Sequence, residues 1–118
     1  MQTIWLIAAH VLIAAMPIEA TAAESLAALK ARGAKVFQQN CAACHQPNGR
    51  GIPGGAANFV DDKTRLAKSD ADLLKVIASG LDTKGMPPFE AILPAPQRRA
   101  VLAYIRATFG VNDTDRAK

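Results

Sequence analysis

Apolar residues fall into three helical stretches separated by loops. From Glu24 to Gln39, the residues Leu26, Leu29, Gly33, Val36 and Phe37 recur at spacings of three, four, three and one, which places them on a single helical face. Glu24 stands near the positive end of that helix and Lys30, Arg32 and Lys35 lie further along, the order that suits the helix dipole. Gly33 costs a helix about 1 kcal/mol relative to alanine, but a gap at that point lets another helix approach closely. A second helix starts after Ser69, its expected N-cap, with Asp72 placed for a capping box. Leu73, Val76 and Ile77 form its apolar face and Gly80 its stop. Pro94, Ala95 and Pro96 open a third helix, where proline is tolerated in the first turn. Its apolar face is Val101, Tyr104, Ile105, Thr108 and Phe109, and Gly110 ends it. No stretch alternates as a strand would, so the fold class expected is all-α.

Between these helices run two irregular segments. Gln46 to Phe59 is punctuated by Pro47, Gly49, Gly51, Pro53, Gly54 and Gly55, a composition that wraps around something and forms no regular element. Leu81 to Phe89 contains Lys84-Gly85-Met86-Pro87-Pro88. The polar residues 111–118 are expected to fray.

Residues 1–22 read as a secretory signal. Ile4 to Ile18 is an apolar run of 15 residues interrupted by His10 and Pro17, shorter than the roughly 18–20 residues that span a bilayer. Ala20-Thr21-Ala22 has the small-x-small form of a cleavage site. The remaining chain, 23–118, is then one domain with no stable membrane insertion, although Gln2 and Thr3 give the leader no basic start and an uncleaved anchor is the alternative. Of the ten acidic residues only Glu19 precedes Ala23, so the mature domain carries 14 basic against nine acidic charges, a formal +5. The basic residues are scattered and not interleaved with aromatics, which argues against nucleic acid and for steering toward acidic protein partners.

The chemistry concentrates in Cys41-Ala42-Ala43-Cys44-His45. A C-x-x-C-H arrangement attaches a c-type haem. Two thiols three residues apart can each add to one vinyl group on a haem edge, and the imidazole that follows can bind the iron from one face. A zinc site needs about four protein ligands, and the chain has only these two cysteines. A thioredoxin-like dithiol would sit in a βαβ pattern, which is missing here. Beyond the leader, with its His10, Met1 and Met16, there remain one histidine, His45, and one methionine, Met86. Opposite His45 the choices are Met86, a lysine, Tyr104, water or no ligand. The setting favours Met86: Gly85 lets the backbone approach a flat ring, and Pro87 and Pro88 hold an extended path that presents the side chain. A metal-bound histidine usually gives its second ring N–H to a carbonyl, and the carbonyl of Pro53 is a candidate, a plain turn at that point being the alternative.

With these pieces placed, the chain from about residue 26 to 110 resembles class I cytochrome c. The resemblance rests on Cys41, Cys44 and His45, on Met86-Pro87, on Gly33 with Phe37, and on Val101-Leu102-Ala103-Tyr104-Ile105. It implies a small fold of three to four helices around one covalent haem c, with the first and last helices crossing where Gly33 and Phe37 meet Val101 and Tyr104. It also implies haem attachment outside the cytoplasm, hence a periplasmic location. Two ionised propionates would lower the charge to about +3. Many relatives hold a propionate with tryptophan or tyrosine. Here Trp5 lies in the leader and Tyr104 in the last helix, which leaves Asn58, Lys63 or Arg65. Relatives also often hydrogen-bond the methionine sulfur with a tyrosine, and none is free to do so.

No acid, base or nucleophile constellation accompanies the motif, so the haem is the only reactive centre. The expected role is that of a one-electron carrier with His45 and Met86 as axial ligands, not an enzyme, shuttling between redox proteins with acidic docking surfaces and using lysines such as Lys84. The alternatives are a haem with a labile sixth ligand, acting as a peroxidase or small-gas sensor, and a dedicated electron-transfer subunit of a periplasmic dehydrogenase or reductase. Arg98 and Arg99, near the positive end of the last helix, are a solvated face or a docking patch.

Overall fold

A computed structural model describes residues 24–110. The expected leader, its cleavage site and the polar tail lie outside those residues. Four α-helices are present: α1 (Leu26–Asn40), α2 (Ala42–His45), α3 (Asp70–Ser79) and α4 (Ala95–Phe109), with 3-10 turns at Lys63–Leu66 and Asp82–Lys84. Among the described residues no strand forms, and the single β-bridge joins Leu81 to Met86.

The core sits where α1 meets α4. Phe37 and Val101 are fully buried, with Val36, Ile105 and Phe109 around them. Gly33 explains the close approach: a Cβ there would collide with the carbonyl oxygen of Ala100 and lie 2.8 Å from the Cβ of Tyr104. The α1 backbone therefore rests on the α4 backbone, and the phenyl ring of Phe37 packs on Tyr104 with centroids 5.4 Å apart. Leu66, Leu93 and Ala42 extend this core beneath the loops, and Leu73, Ile77 and Phe89 pack against its edge.

Helix ends follow the sequence with small corrections. Ser25, not Glu24, caps α1 by accepting from the Ala28 amide at 3.1 Å. Glu24 lies outside the helix and pairs with Arg32 at 2.6 Å. Ser69 caps α3 by accepting from the Asp72 amide, and its hydroxyl donates to the Asp72 carboxylate at 2.7 Å. Gly80 and Gly110 stop α3 and α4. Thr108, expected on the buried face of α4, is exposed. Arg98 turns back to donate to the carbonyl of Leu93 at 2.6 Å, bracing the entry to α4 and leaving Arg99 exposed.

Candidate haem-attachment site

Cys41 lies at a helix junction. It is at once the C-cap of α1, its amide bonded to Phe37, and the N-cap of α2. Its carbonyl accepts from the amides of Cys44 at 3.2 Å and His45 at 2.9 Å. That single turn gathers both thiols and the imidazole onto one short element, as the spacing predicts. Neither cysteine forms a disulfide; Cys41 is half-buried and Cys44 exposed. Burial, with the neighbouring Cys44 thiolate adding to it, pushes the Cys41 thiol up to about 11. A thiol protonated at neutral pH is a poor redox dithiol, since the thiolate is the attacking species.

The imidazole of His45 is held at one nitrogen. Nδ1 lies 3.2 Å from the carbonyl oxygen of Ala57. As donor in that bond, Nδ1 carries the proton and Nε2 keeps its lone pair for a metal. Burial lowers the pKa of His45 below the ordinary imidazole range, against the opposing effect of the Ala57 hydrogen bond. The neutral, metal-binding form is thereby favoured.

The partner carbonyl is a correction: the structure gives this place to Ala57 and not to Pro53. Gly51 donates to the His45 carbonyl at 2.9 Å, Ile52 donates to Ala56 at 3.1 Å, and Gly55 closes a turn on Ile52. Pro53 lies at the exposed tip of that turn, while the chain returning from it carries Ala57 to the ring. Proline's rigidity suggested Pro53, but the hydrogen bonds of the turn decide which carbonyl comes back.

Two features of the site are not visible in the residue pattern. The ring of Phe59 stacks on His45 with centroids 4.6 Å apart and planes inclined by 18°. An isolated aromatic at the end of a Gly/Pro-rich loop was the available signal. Gln46, directly after His45, has φ 64° and ψ 151°. Among the described residues it is the one non-glycine residue with positive φ, in a region almost reserved for glycine.

Met86 is presented by a pinned loop. Its amide and carbonyl both bond to Leu81, at 3.2 and 2.9 Å, and directly beyond the prolines the amides of Phe89 and Glu90 bond to the carbonyls of Ile77 and Ala78 of α3, each at 3.1 Å. Gly85 matters as a left-handed residue (φ 73°) that closes the 3-10 turn before Met86. Lys84 is exposed on that turn. Of the propionate candidates, Asn58 is engaged with Asp61 and the Val60 and Asp61 amides, and Arg65 pairs with Asp62. Tyr104 packs on Phe37, as expected, and also meets Phe109 edge-on.

Two thiols on one turn, a neutral imidazole with its second nitrogen occupied, and one thioether on a tethered loop make a donor set that fits a covalent haem. Cys41 and Cys44 would hold it, and His45 and Met86 are the iron-ligand candidates. Residues 28–105 match the family described as cytochrome c oxidase, cbb3-type, subunit III. The chain belongs to this family of class I c-type cytochromes. It is 35% identical over 81 residues to the Cbb3-type cytochrome c oxidase subunit FixP of Bradyrhizobium sp. (strain ORS 278), covering 68% of this chain and 28% of that protein. It is 38% identical over 84 residues to the subunit FixPc of Rhizobium leguminosarum bv. viciae, covering 64% and 29%. The cytochrome thus spans under a third of the curated relatives it matches. Among solved structures, the KustC0563 c-type cytochrome superposes with a TM-score of 0.58 at 26% identity, covering 67% of this chain and 98% of that one. The all-α class I fold is borne out, and the cytochrome is a haem-based electron-transfer domain carrying covalent haem c.

Proposed function

We propose that this cytochrome is a periplasmic one-electron carrier that holds a single haem through Cys41 and Cys44, with His45 and Met86 as axial ligands. One observation carries the reading. The single histidine and the single methionine beyond the first 16 residues are both held in place, His45 through its ring nitrogen on the Ala57 carbonyl and Met86 through backbone hydrogen bonds to Leu81. When bound, the haem supplies a reversible one-electron couple at its iron. The chain's own residues set the terms of that couple. A soft thioether from Met86 would favour Fe(II) and raise the potential. Ligands held on hydrogen-bonded backbone move little between oxidation states, which keeps the barrier to electron transfer low. The protein binds no substrate of its own in this role and is not an enzyme.

The test is absorption spectroscopy of the haem-loaded protein beside Met86→Ala. A weak far-red band in the ferric wild type, lost in the variant, identifies the sulfur–iron bond. A high-spin ferric spectrum, or ready carbon monoxide binding by the reduced protein, would instead favour a catalytic or gas-sensing haem. Docking through the face bearing Lys84 predicts that electron transfer with an acidic partner slows as salt is added.

A second reading has specific support. The relatives are named as oxidase subunits, and this chain covers 28% of one of them. The same chemistry would then feed a terminal oxidase from within a lasting complex. Retention with the oxidase through purification at high salt distinguishes a subunit from a free carrier.

A further inference from the structure

The ring of Phe59 touches both the imidazole and the hydrophobic core. It stacks on His45 at 4.6 Å with planes 18° apart. It also pairs with Phe109, with centroids 6.2 Å apart and planes 28° apart. Phe109 is buried and packs on Phe37, which has no exposed surface. An unbroken series of aromatic rings therefore runs from His45 to the contact between α1 and α4.

The Phe59 backbone is fixed as firmly. Its amide donates to the Gly49 carbonyl at 2.8 Å, and the Phe109 ring covers Gly49 so closely that a Cβ there would lie 2.7 Å from it. Immediately before Phe59, the Asn58 side chain accepts from the amides of Val60 and Asp61 at 3.0 and 2.9 Å. The loop residue is thus locked from both sides and from behind.

We infer that Phe59 is a positioning residue for His45, setting the plane in which the imidazole stands. The inference rests on the reading of His45 as an axial ligand. The hydrogen bond to Ala57 fixes where Nδ1 lies but leaves the ring free to tilt about the N···O line. A flat, core-backed neighbour removes that freedom. The orientation of an imidazole bound to the iron would decide which iron d orbitals it overlaps, so a fixed plane would narrow the electronic states open to the iron.

The experiment uses haem-loaded protein labelled with 15N,13C-histidine, comparing wild type with Phe59→Tyr, Phe59→Leu and Phe109→Leu. The hyperfine-shifted His45 ring resonances of the ferric form are read by NMR alongside the melting temperature. Wild type and Phe59→Tyr, which keeps the flat ring, are expected to show one matching set. Phe59→Leu, similar in bulk but not flat, is expected to shift or split the set by more than its change in melting temperature would suggest. Phe109→Leu, which removes the flat backing along with part of the core, should move it in the same direction, again by more than its change in melting temperature would suggest. An unchanged set in Phe59→Leu with a lowered melting temperature would reduce Phe59 to a packing residue. So would missing cross-peaks between the two rings in the ferrous wild type, whatever the variants do. The readout does not require Met86 on the iron, so loss of the carrier reading through Met86→Ala leaves this result standing. Histidine resonances without hyperfine shifts would remove His45 from the iron and overturn both.

Discussion

Arg106 on α4 holds Asp70 at the start of α3, across 36 positions of sequence, through a 2.6 Å bond from Nε to the carboxylate. The other two nitrogens of the same guanidinium donate to the carbonyls of Leu66 and Lys68, each at 2.7 Å. Only 19% of the Arg106 side chain is exposed, against 69% for Asp70. The carbonyl bonds therefore matter more than the ion pair, which water screens. Arg106→Ala is expected to destabilise the protein by about 2–3 kcal/mol, within the range for charged hydrogen bonds lost at a sheltered site. Asp70→Asn should cost under about 1 kcal/mol. Urea unfolding of the haem-loaded protein measures both.

Gly33→Ala sets two effects against each other. Alanine gains about 1 kcal/mol in helix propensity. The added methyl, however, meets backbone at Ala100, which cannot swing away as a side chain can. Overpacking of this kind costs about 1–3 kcal/mol, and a backbone collision belongs at the upper end. A net loss of about 2 kcal/mol is expected, seen as a lowered urea midpoint.

Gln46→Gly should act in the opposite direction. The strained conformation after His45 costs a non-glycine residue on the order of 1–3 kcal/mol, and glycine adopts it freely. Glycine also gives up more entropy on folding, so the expected net gain is about 1 kcal/mol. A raised melting temperature with an unchanged absorption spectrum would confirm that the strain is local.

The loop beneath Phe59 should be sensitive to acid. Asp61 is held below the ordinary carboxylate range by hydrogen bonds from Asn58 and Arg50, and Asp62 by those from Thr64 and Arg65. Both pKa values are lower folded than unfolded, so their contribution to stability is complete above the ordinary Asp range. It is lost as pH falls from about 4 through the depressed values. The double variant Asp61→Asn/Asp62→Asn should therefore show a shallower fall in stability on acidification below about pH 4. Denaturation midpoints measured from pH 6 to pH 3 provide the check.

What could be read from residues alone divides along physical lines. Helix faces, Ser69, Gly33 and the C-x-x-C-H turn are local or periodic signals, and apart from the exposed Leu26 and Thr108 they appear where the spacing placed them. Met86 stood out because elimination left one methionine beyond the leader, and the structure sets it on the loop pinned to Leu81. The partner of His45 was not legible, because it depends on how the Gln46–Phe59 loop folds back, and a loop's path is set by hydrogen bonds that composition does not reveal. Proline's stiffness pointed to Pro53, whereas the return of the chain brought Ala57. Phe59 and Arg106 escaped notice for a related reason. Each works through partners distant in sequence or on another element, Arg106 with Asp70 and Phe59 with His45 and Phe109, which no periodicity links.

The pairing of α1 with α4 has a consequence for how the molecule comes into being. Val101, Ile105 and Phe109, which seal the core over Phe37, are among the last residues of the domain to be synthesised. A nascent chain that has reached only the Met86 loop holds both thiols and His45 but lacks that seal. Native packing therefore arrives only once α4 has been made, and until then Cys41 lacks the core it packs against.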